Sequence, residues 1–251
     1  EIHERLVGSE MCIRDREYMA ALLTSVLDNS DKVAEYIAEC KDCGIALLPP
    51  DVNRSYDRFT VEEGGIRFGL VAVKNIGRGF IQAVVRQRQQ DGPFASFQDF
   101  CQRMFDCTDM NKRAVENLIR SGAFDSMGAR RSQLLAVYEK VLDGIGNVRR
   151  RNVEGQIDFF GMSAANSTVE TVVMPDIPEF TATERMHMEK ETTGLYLSGH
   201  PMVGYRAAAR SSGAVTLNEI LEDVSSEEGP TRFADCLLYT SPSPRDAHES
   251  R

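Results

Sequence analysis

The sequence predicts a mainly α-helical fold that contains one small β-hairpin. In most segments apolar residues recur every three or four positions, which is the period of an amphipathic helix. The strand-like alternation of apolar and polar residues lies in Phe59–Phe68, around the turn Glu63-Gly64-Gly65. From Asp143 to Pro178 the helical period is lost and Gly, Asn, Ser, Thr and Arg dominate, which predicts a flexible linker.

The N-terminal part predicts a helical hairpin followed by an extended segment. Glu17–Leu27 and Asp31–Cys43 each carry an apolar face, and Ser30 can cap the second of these helices. Gly44 stands at the position where a left-handed residue commonly ends a helix. Ile45–Leu48 is a short apolar run that two prolines stop, so we expect a strand or an extended leg there.

The remaining chain predicts further helices between glycine-rich breaks. The sequence Ser96-Phe97-Gln98-Asp99 resembles a capping box with Asp in place of Glu, and Asn111 can cap the next helix. A strand is expected at Thr231–Ala234. The predicted helices are Ser96–Met104, Lys112–Ser121, Arg130–Leu142, one that Thr181 or Thr183 caps and that ends near Glu191, and a short one around Leu217–Leu221.

The composition is that of a soluble globular protein, with 42% apolar and 27% charged residues. No run of about 18 apolar residues occurs, so we expect no membrane contact. The net charge of −9 argues against a uniformly basic nucleic-acid binder, so DNA contacts would need local basic patches. With no secretory signal visible, we expect a cytoplasmic protein with reduced thiols.

One such basic patch is Leu70–Gln90, where two predicted helices meet at a glycine turn. Gly77 and Gly79 can adopt positive φ at little cost, so the chain can reverse there. They also leave backbone N–H groups bare close to the positive end of a helix that begins at Phe80. The stretch holds four cations and no acid, which predicts a clamp for backbone phosphates. The cations are Lys74, Arg78, Arg86 and Arg88. Such a site fits a phosphate and reads no base sequence. The candidate DNA-binding residues are Lys74, Asn75, Gly77, Arg78 and Gly79.

The Gly-x-Gly-x-x-x-Ala spacing of that turn resembles a helix-hairpin-helix, which binds DNA without sequence preference; a plain turn between helices is the alternative. Asn111–Arg131 predicts a second, degenerate copy around Ser121-Gly122-Ala123, because its cations outnumber its acids. The cations are Lys112, Arg113, Arg120, Arg130 and Arg131. Lys112 and Arg113 are the DNA-binding candidates of this second copy.

The predicted linker contains one apolar island, made of Gln156, Ile157, Asp158, Phe159 and Phe160. Two adjacent phenylalanines in a polar segment have no core of their own. Either they fold back onto the helical domain, or they form a short peptide whose rings insert into a pocket of a partner protein.

Four cysteines raise the alternative of a zinc site. Cys40 and Cys43 have zinc-ligand spacing, and Cys101 with Cys107 would complete a set of four. The alternative is that they are small core residues of helices. His200 has no ligand or triad partner at a suitable spacing, so we interpret it as structural.

The two ends are expected to be foreign to the fold. One DNA sequence that encodes Val7–Arg16 encodes Cys236–Pro244 when it is read on the opposite strand, as a sequencing adapter would at both ends of an insert. We therefore exclude residues 1–16 and 236–251 from the fold prediction.

Several stretches together resemble the bacterial DNA polymerase III alpha subunit, a replicative polymerase of the C family. The matching stretches are Glu17–Ile45, Leu47–Asn53, Ile66–Gly79, Gly92–Cys101, Asn111–Gly128 and Glu191–Met202.

The resemblance implies an internal fragment of that subunit. Its parts would be the end of the fingers (17–59), a tandem helix-hairpin-helix region (60–142), a linker with a clamp-binding peptide (143–178), a helical connection (179–212) and the start of an OB-fold (213–235). It implies contacts with duplex primer-template DNA at the hairpin glycines, and with the beta sliding clamp through Gln156–Phe160. Other subunits of the polymerase III holoenzyme are further implied partners.

The same resemblance implies an enzyme whose catalytic part lies elsewhere. Polymerases of this family hold two metal ions, expected to be Mg²⁺, with palm-domain aspartates that would precede this segment. We therefore assign no catalytic or metal-binding residue in this chain, and expect no polymerase activity from it alone. The alternative function is a stand-alone helix-hairpin-helix adaptor that binds DNA without polymerase activity.

Overall fold

A computed structural model describes residues 16–27, 29–107, 110–153, 173–216 and 219–220. The Gln156–Phe160 peptide, the strand at Thr231–Ala234 and the ends predicted to be foreign, apart from Arg16, lie outside these residues. The chain divides into two compact units, residues 1–200 and 201–251. As predicted, the described residues are mainly helical and include a small β-sheet.

The first unit begins with the predicted helical hairpin. Helix α1 covers residues 16–25 and helix α2 covers Ser30–Asp42. The cap of α2 is Asn29 rather than Ser30, because the Asn29 side chain accepts hydrogen bonds from the backbone N–H groups of Asp31 and Lys32. Gly44 has the expected left-handed conformation, with φ of 73°.

A three-stranded sheet follows, in the order β1-β3-β2. Strands β2 (Thr60–Glu62) and β3 (Gly65–Arg67) form the predicted antiparallel hairpin. Strand β1 (Ala46–Leu48) pairs in parallel with β3, so the extended leg joins the sheet. Gly65 permits this pairing, since a Cβ there would lie 2.1 Å from the Ala46 carbonyl oxygen.

The helices that follow surround the candidate hairpins. They are α3 (Arg78–Asp91), α4 (Phe97–Met104), α5 (Lys112–Arg120), α6 (Arg131–Val153) and α7 (Ala182–Thr193). Helix α8 (Arg206–Ser211) belongs to the second unit. Short 3₁₀ turns lie at Leu70–Ala72 and Asp125–Met127.

Helix α6 corrects one sequence prediction. We expected it to end at Leu142 and a linker to begin at Asp143, because Gly144, Gly146 and Asn147 reduce the helical propensity. The helix instead continues to Val153. Ile145 is only 2% exposed within the core, so apolar packing holds the helix together where local propensity is weak.

Two buried apolar clusters form the core of the first unit. One joins α1, α2 and the sheet, and includes Leu23, Ile37, Phe59 and Phe68. The other joins α3 to α6 around five phenylalanines in edge-to-face contact, namely Phe80, Phe94, Phe97, Phe100 and Phe124. The half-buried Ile76 packs against both clusters, so the first candidate hairpin lies where they meet.

Candidate nucleic-acid interface

The first hairpin runs from the 3₁₀ turn at Leu70–Ala72 to the start of α3 at Arg78. Neither Gly77 nor Gly79 adopts the positive φ that is available to glycine for the chain reversal. The left-handed residue is Asn75, with φ of 61°, a conformation that Asn tolerates better than most residues. Gly77 is the extended N-cap of α3, with φ of −68° and ψ of 141°, and Gly79 lies in the first helical turn.

Gly77 is therefore not required by backbone conformation, and it is not required by internal packing either. A Cβ atom at Gly77 would meet nothing within 4 Å. The residue is exposed, as are Lys74, Asn75, Arg78 and Gly79. The absence of a side chain thus leaves an open approach to the backbone at the N-terminal end of α3, where the N–H groups favour an anion.

The main chain of Lys74 is fixed on both sides. Its N–H group donates to the Thr192 carbonyl oxygen at 2.8 Å, and its carbonyl oxygen accepts from Asn117 Nδ2 at 2.9 Å. Asn117 is buried in α5, and Thr192 is buried at the end of α7. The hairpin is therefore anchored by two other helices, while the Lys74 ammonium group remains exposed.

The two hydrogen bonds that hold the Lys74 main chain were not predicted from the sequence. Asn117 could have been noticed, because it is a polar residue one helical turn from Ala114 on the apolar face of α5. Thr192 acts through its backbone, for which the sequence carries no signal.

The second hairpin joins α5 to α6 through Ser121-Gly122-Ala123. Gly122 has φ of 84°, and the Gly122 and Ala123 N–H groups donate to the carbonyl oxygens of Ile119 and Leu118. These two bonds form the Schellman arrangement that closes a helix. A Cβ at Gly122 would also lie 2.3 Å from Arg131 Nη2, so this glycine is required by conformation and by packing.

The basic patch predicted around the second hairpin is largely neutralised. Acidic side chains lie within salt-bridge distance of four of its five cations. Some of these carboxylates are neighbours in sequence, and the others are brought from remote positions by α6, α7 and the segment before α7. Within the described ranges, the fifth cation, Arg113, is exposed and has no acidic side chain at that distance. The pairs are Lys112 with Asp143, Arg120 with Glu116 and Glu191, Arg130 with Asp176, and Arg131 with Asp125 and Glu189.

Arg131 is structural rather than a DNA contact, since its side chain is 5% exposed. Burial lowers the pKa of Arg131, but the hydrogen bonds and charges of Asp125 and Glu189 outweigh burial and raise it above its ordinary value. The hydrogen bond to Asp143 is the main reason why the pKa of Lys112 is raised. Both side chains therefore stay cationic at neutral pH, and both are paired.

Arg88 also departs from the expected phosphate clamp. Its guanidinium group is buried and donates to the carbonyl oxygens of Val52 and Ser55 at 2.9 and 3.0 Å. Burial is the main reason why the pKa of Arg88 is lowered. Arg86 is exposed on α3. The exposed cations of the first hairpin are thus Lys74, Arg78 and Arg86, and Arg88 instead fixes the loop before β2.

The cysteines do not form a described metal site. Cys40 and Cys101 are buried, and burial raises the pKa of Cys40 to about 11 and that of Cys101 further still. Among the residues that the structure describes, no group of three or more His, Cys, Asp or Glu side chains could hold a metal ion.

No helix of the described ranges is both long and apolar enough to cross a membrane.

Comparison with known proteins first defines the class of the hairpin region. Residues 44–134 match the family model of the helix-hairpin-helix motif. This range contains both hairpins described above. This match confirms the helix-hairpin-helix prediction.

Comparison of the whole chain then identifies the family. The chain is 37% identical to DNA polymerase III subunit alpha of Mycobacterium leprae over 222 residues, which are 88% of this chain and 19% of that protein. It is 37% identical to the Vibrio cholerae subunit over 81% of this chain and 18% of that protein. For the Thermus aquaticus subunit the identity is 39%, over 83% of this chain and 16% of that protein. The chain belongs to the DNA polymerase III subunit alpha family, and it spans less than a fifth of these relatives.

Proposed function

We propose that this chain is the part of a replicative polymerase that grips duplex DNA, with Lys74–Gly79 as the principal contact. The observation that carries the proposal is Gly77, a glycine that neither backbone conformation nor internal packing requires. A phosphate of the DNA backbone is the group that uses this space, because it can approach the N–H groups of α3 only where no side chain stands. Lys74 and Arg78 add charge on either side.

Contacts of this kind predict a characteristic binding behaviour. Phosphate contacts release counterions from DNA, so the affinity should fall steeply with salt. They read no base edges, so duplexes of different sequence should bind about equally. At the second hairpin, Lys112 and Arg113 are the proposed contacts, with Lys112 exchanging Asp143 for a phosphate.

The substitution Gly77→Ala tests the hairpin without disturbing the fold. The added Cβ meets no protein atom and the backbone angles are ordinary, so the melting temperature should be unchanged. The affinity for a labelled duplex, measured by fluorescence anisotropy, should fall roughly tenfold, which is about 1.4 kcal/mol.

Gly144→Ala provides the matched control. Gly144 lies in α6, and a Cβ there also meets nothing within 4 Å. This variant should keep the full duplex affinity. Equal affinities for Gly77→Ala and Gly144→Ala would show that the first hairpin does not hold DNA.

We propose further that the peptide Gln156–Phe160 tethers the polymerase to its beta sliding clamp. Its support is the apolar pair Phe159-Phe160 in a polar stretch and the family to which the chain belongs. A second attachment to a ring around the same duplex would raise the combined avidity by roughly 10²–10⁴. Replacing both phenylalanines by Ala should cost at least about 2 kcal/mol of clamp binding in calorimetry. Unchanged binding would assign the pair to another role.

The proposed parent protein is a cytoplasmic DNA-directed DNA polymerase that works with the other holoenzyme subunits. Its reaction would be two-metal phosphoryl transfer in a palm domain that precedes this segment. The full coding sequence tests this part, because a palm with paired aspartates should be encoded upstream in the same reading frame. A complete reading frame without a palm would favour the stand-alone adaptor.

A further inference from the structure

A cleft of about 400 Å³ lies beside the first hairpin, between the end of α1, the loop before β2 and the first turns of α3. We infer that this cleft is a second contact for the phosphate backbone of the DNA, with Arg58 as its main donor. The inference rests on the proposed DNA-binding function and adds a site to it. The polar side chains of the cleft that can interact with an anion are Arg58, Arg78 and Gln82, and Asp57 lies beside them.

The backbone holds Arg58 in a fixed position relative to the hairpin. The N–H groups of Leu70 and Val71 donate to the carbonyl oxygens of Tyr56 and Asp57 at 2.9 and 3.3 Å. Gly69 permits this close approach, since a Cβ there would lie 2.6 Å from the carbonyl carbon of Arg58. The loop that carries Arg58 is therefore bonded directly to the turn that leads into Lys74–Gly79.

The next residue and a buried cation fix the same loop from inside. Phe59 is 3% exposed and packs edge-on against Phe68. Arg88 binds the carbonyl oxygens of Val52 and Ser55, as described above. The loop backbone therefore has little conformational entropy to lose on binding, and the entropy cost is confined to the exposed Arg58 side chain.

The charges around the cleft favour an anion. Arg58 and Arg78 contribute two positive charges against the single negative charge of Asp57. The Arg58 Nε and Asp57 Oδ1 atoms are 3.7 Å apart, and the two side chains are 68% and 46% exposed. Such an exposed pair contributes little free energy, so Arg58 can exchange it for a phosphate at small cost.

Arg78 links the cleft to the hairpin. It follows Gly77 directly as the first residue of α3, and its side chain lines the cleft together with Gln82, one turn further along the helix. A phosphate backbone that passes Gly77 therefore meets Arg78 next and Arg58 beyond it. Gln82 can donate hydrogen bonds to phosphate oxygens, as arginine does, whereas the Thr24 hydroxyl already donates to the Ala20 carbonyl oxygen at 2.7 Å.

The test compares Arg58→Gln with Arg54→Gln in the full chain. Both arginines are exposed on the same loop, but Arg54 pairs with Glu62 at 3.0 Å and does not line the cleft. Arg58→Gln should weaken duplex binding roughly three- to tenfold and lower the slope of log affinity against log salt by about 0.9, as the loss of one phosphate contact does. Arg54→Gln should change the affinity less than about twofold.

The outcomes separate this inference from the proposed function. If the wild-type chain does not bind duplex DNA, or Gly77→Ala binds as tightly as wild type, the proposed function fails and this inference with it. If Gly77→Ala weakens binding but Arg58→Gln matches Arg54→Gln, only the second site is refuted.

A free polyphosphate is the other source of the same chemistry. Inorganic tripolyphosphate should compete with the duplex at the cleft, and Arg58→Gln should weaken duplex and tripolyphosphate binding together. Loss of tripolyphosphate binding with unchanged duplex affinity would assign the cleft to a free phosphate ligand and overturn the inference.

Discussion

Glu189 is expected to be a sensitive polar position for the stability of the hairpin region. Its side chain is 2% exposed and accepts four hydrogen bonds. One oxygen accepts from Arg131, and the other accepts from the backbone N–H groups of Leu197 and Ser198 and from the Ser198 hydroxyl. This carboxylate therefore ties α7 to the second hairpin and to the segment after α7.

Glu189→Ala removes the acceptor and leaves its donors buried. Breaking a buried ion pair from one side costs about 3–5 kcal/mol. Because Asp125 still binds Arg131, we expect the free energy of unfolding to fall by about 3 kcal/mol, the lower end of that range. For a chain of this size the melting temperature should fall by about 10 °C.

Glu189→Gln should also destabilise, although the side chains have the same shape. A Gln amide presents one oxygen and one NH₂ group. Whichever way it is turned, the NH₂ group faces either Arg131 or the N–H groups of Leu197 and Ser198, all of which are donors. The conservative variant therefore does not restore the network.

Glu191→Ala is the matched control on the same helix. Glu191 also pairs with an arginine, Arg120, but its side chain is 66% exposed. The loss should stay below about 1 kcal/mol. Thermal unfolding followed by circular dichroism compares the variants. Equal melting temperatures for the Glu189 and Glu191 variants would refute the claim that the buried carboxylate organises this region.

Two further predictions concern the hairpin approach and the sheet. Gly69→Ala should lower the free energy of unfolding by about 1–3 kcal/mol, because its Cβ would meet the Arg58 backbone at 2.6 Å. Urea titration measures this loss, and a loss no larger than that of Gly77→Ala would contradict the prediction. A hydrogen bond from Arg67 is the main cause that lowers the pKa of Glu62 below its ordinary 4.5. The stability from this carboxylate should therefore be present above about pH 4.5 and be lost as the pH falls through the lower folded-state pKa. Glu62→Gln should remove that part of the acid dependence of unfolding, and an unchanged pH profile would argue against the pair.

The sequence predicted elements whose cause is local. Helix α5 is predicted at Lys112–Ser121 and observed at Lys112–Arg120. The prediction holds because the apolar period, the Asn111 cap and the glycine after the helix all indicate the same bounds. The parallel pairing of β1 with β3 was not predicted, since it depends on contacts between residues distant in sequence. The end of α6 was missed for the same reason: the core contact of Ile145 overrides its glycine neighbours.

The candidate site shows the same difference between local features and contacts of distant residues. A charged residue can be seen in the sequence, but the groups that surround it in the fold cannot. Arg78 and Arg88 are ten positions apart on one helix, and sequence analysis gave both the same role. The structure exposes Arg78 at the cleft and buries Arg88 on carbonyl oxygens, so one can meet a phosphate and the other holds a loop.

Arg58 is the converse case, since its position beside Arg78 depends on the hydrogen bonds of Leu70 and Val71 and on the space left by Gly69. A net charge of −9 is therefore compatible with a DNA grip, because Arg131 is buried on carboxylates and Arg88 on carbonyl oxygens, while Lys74, Arg78 and Arg86 lie at the surface.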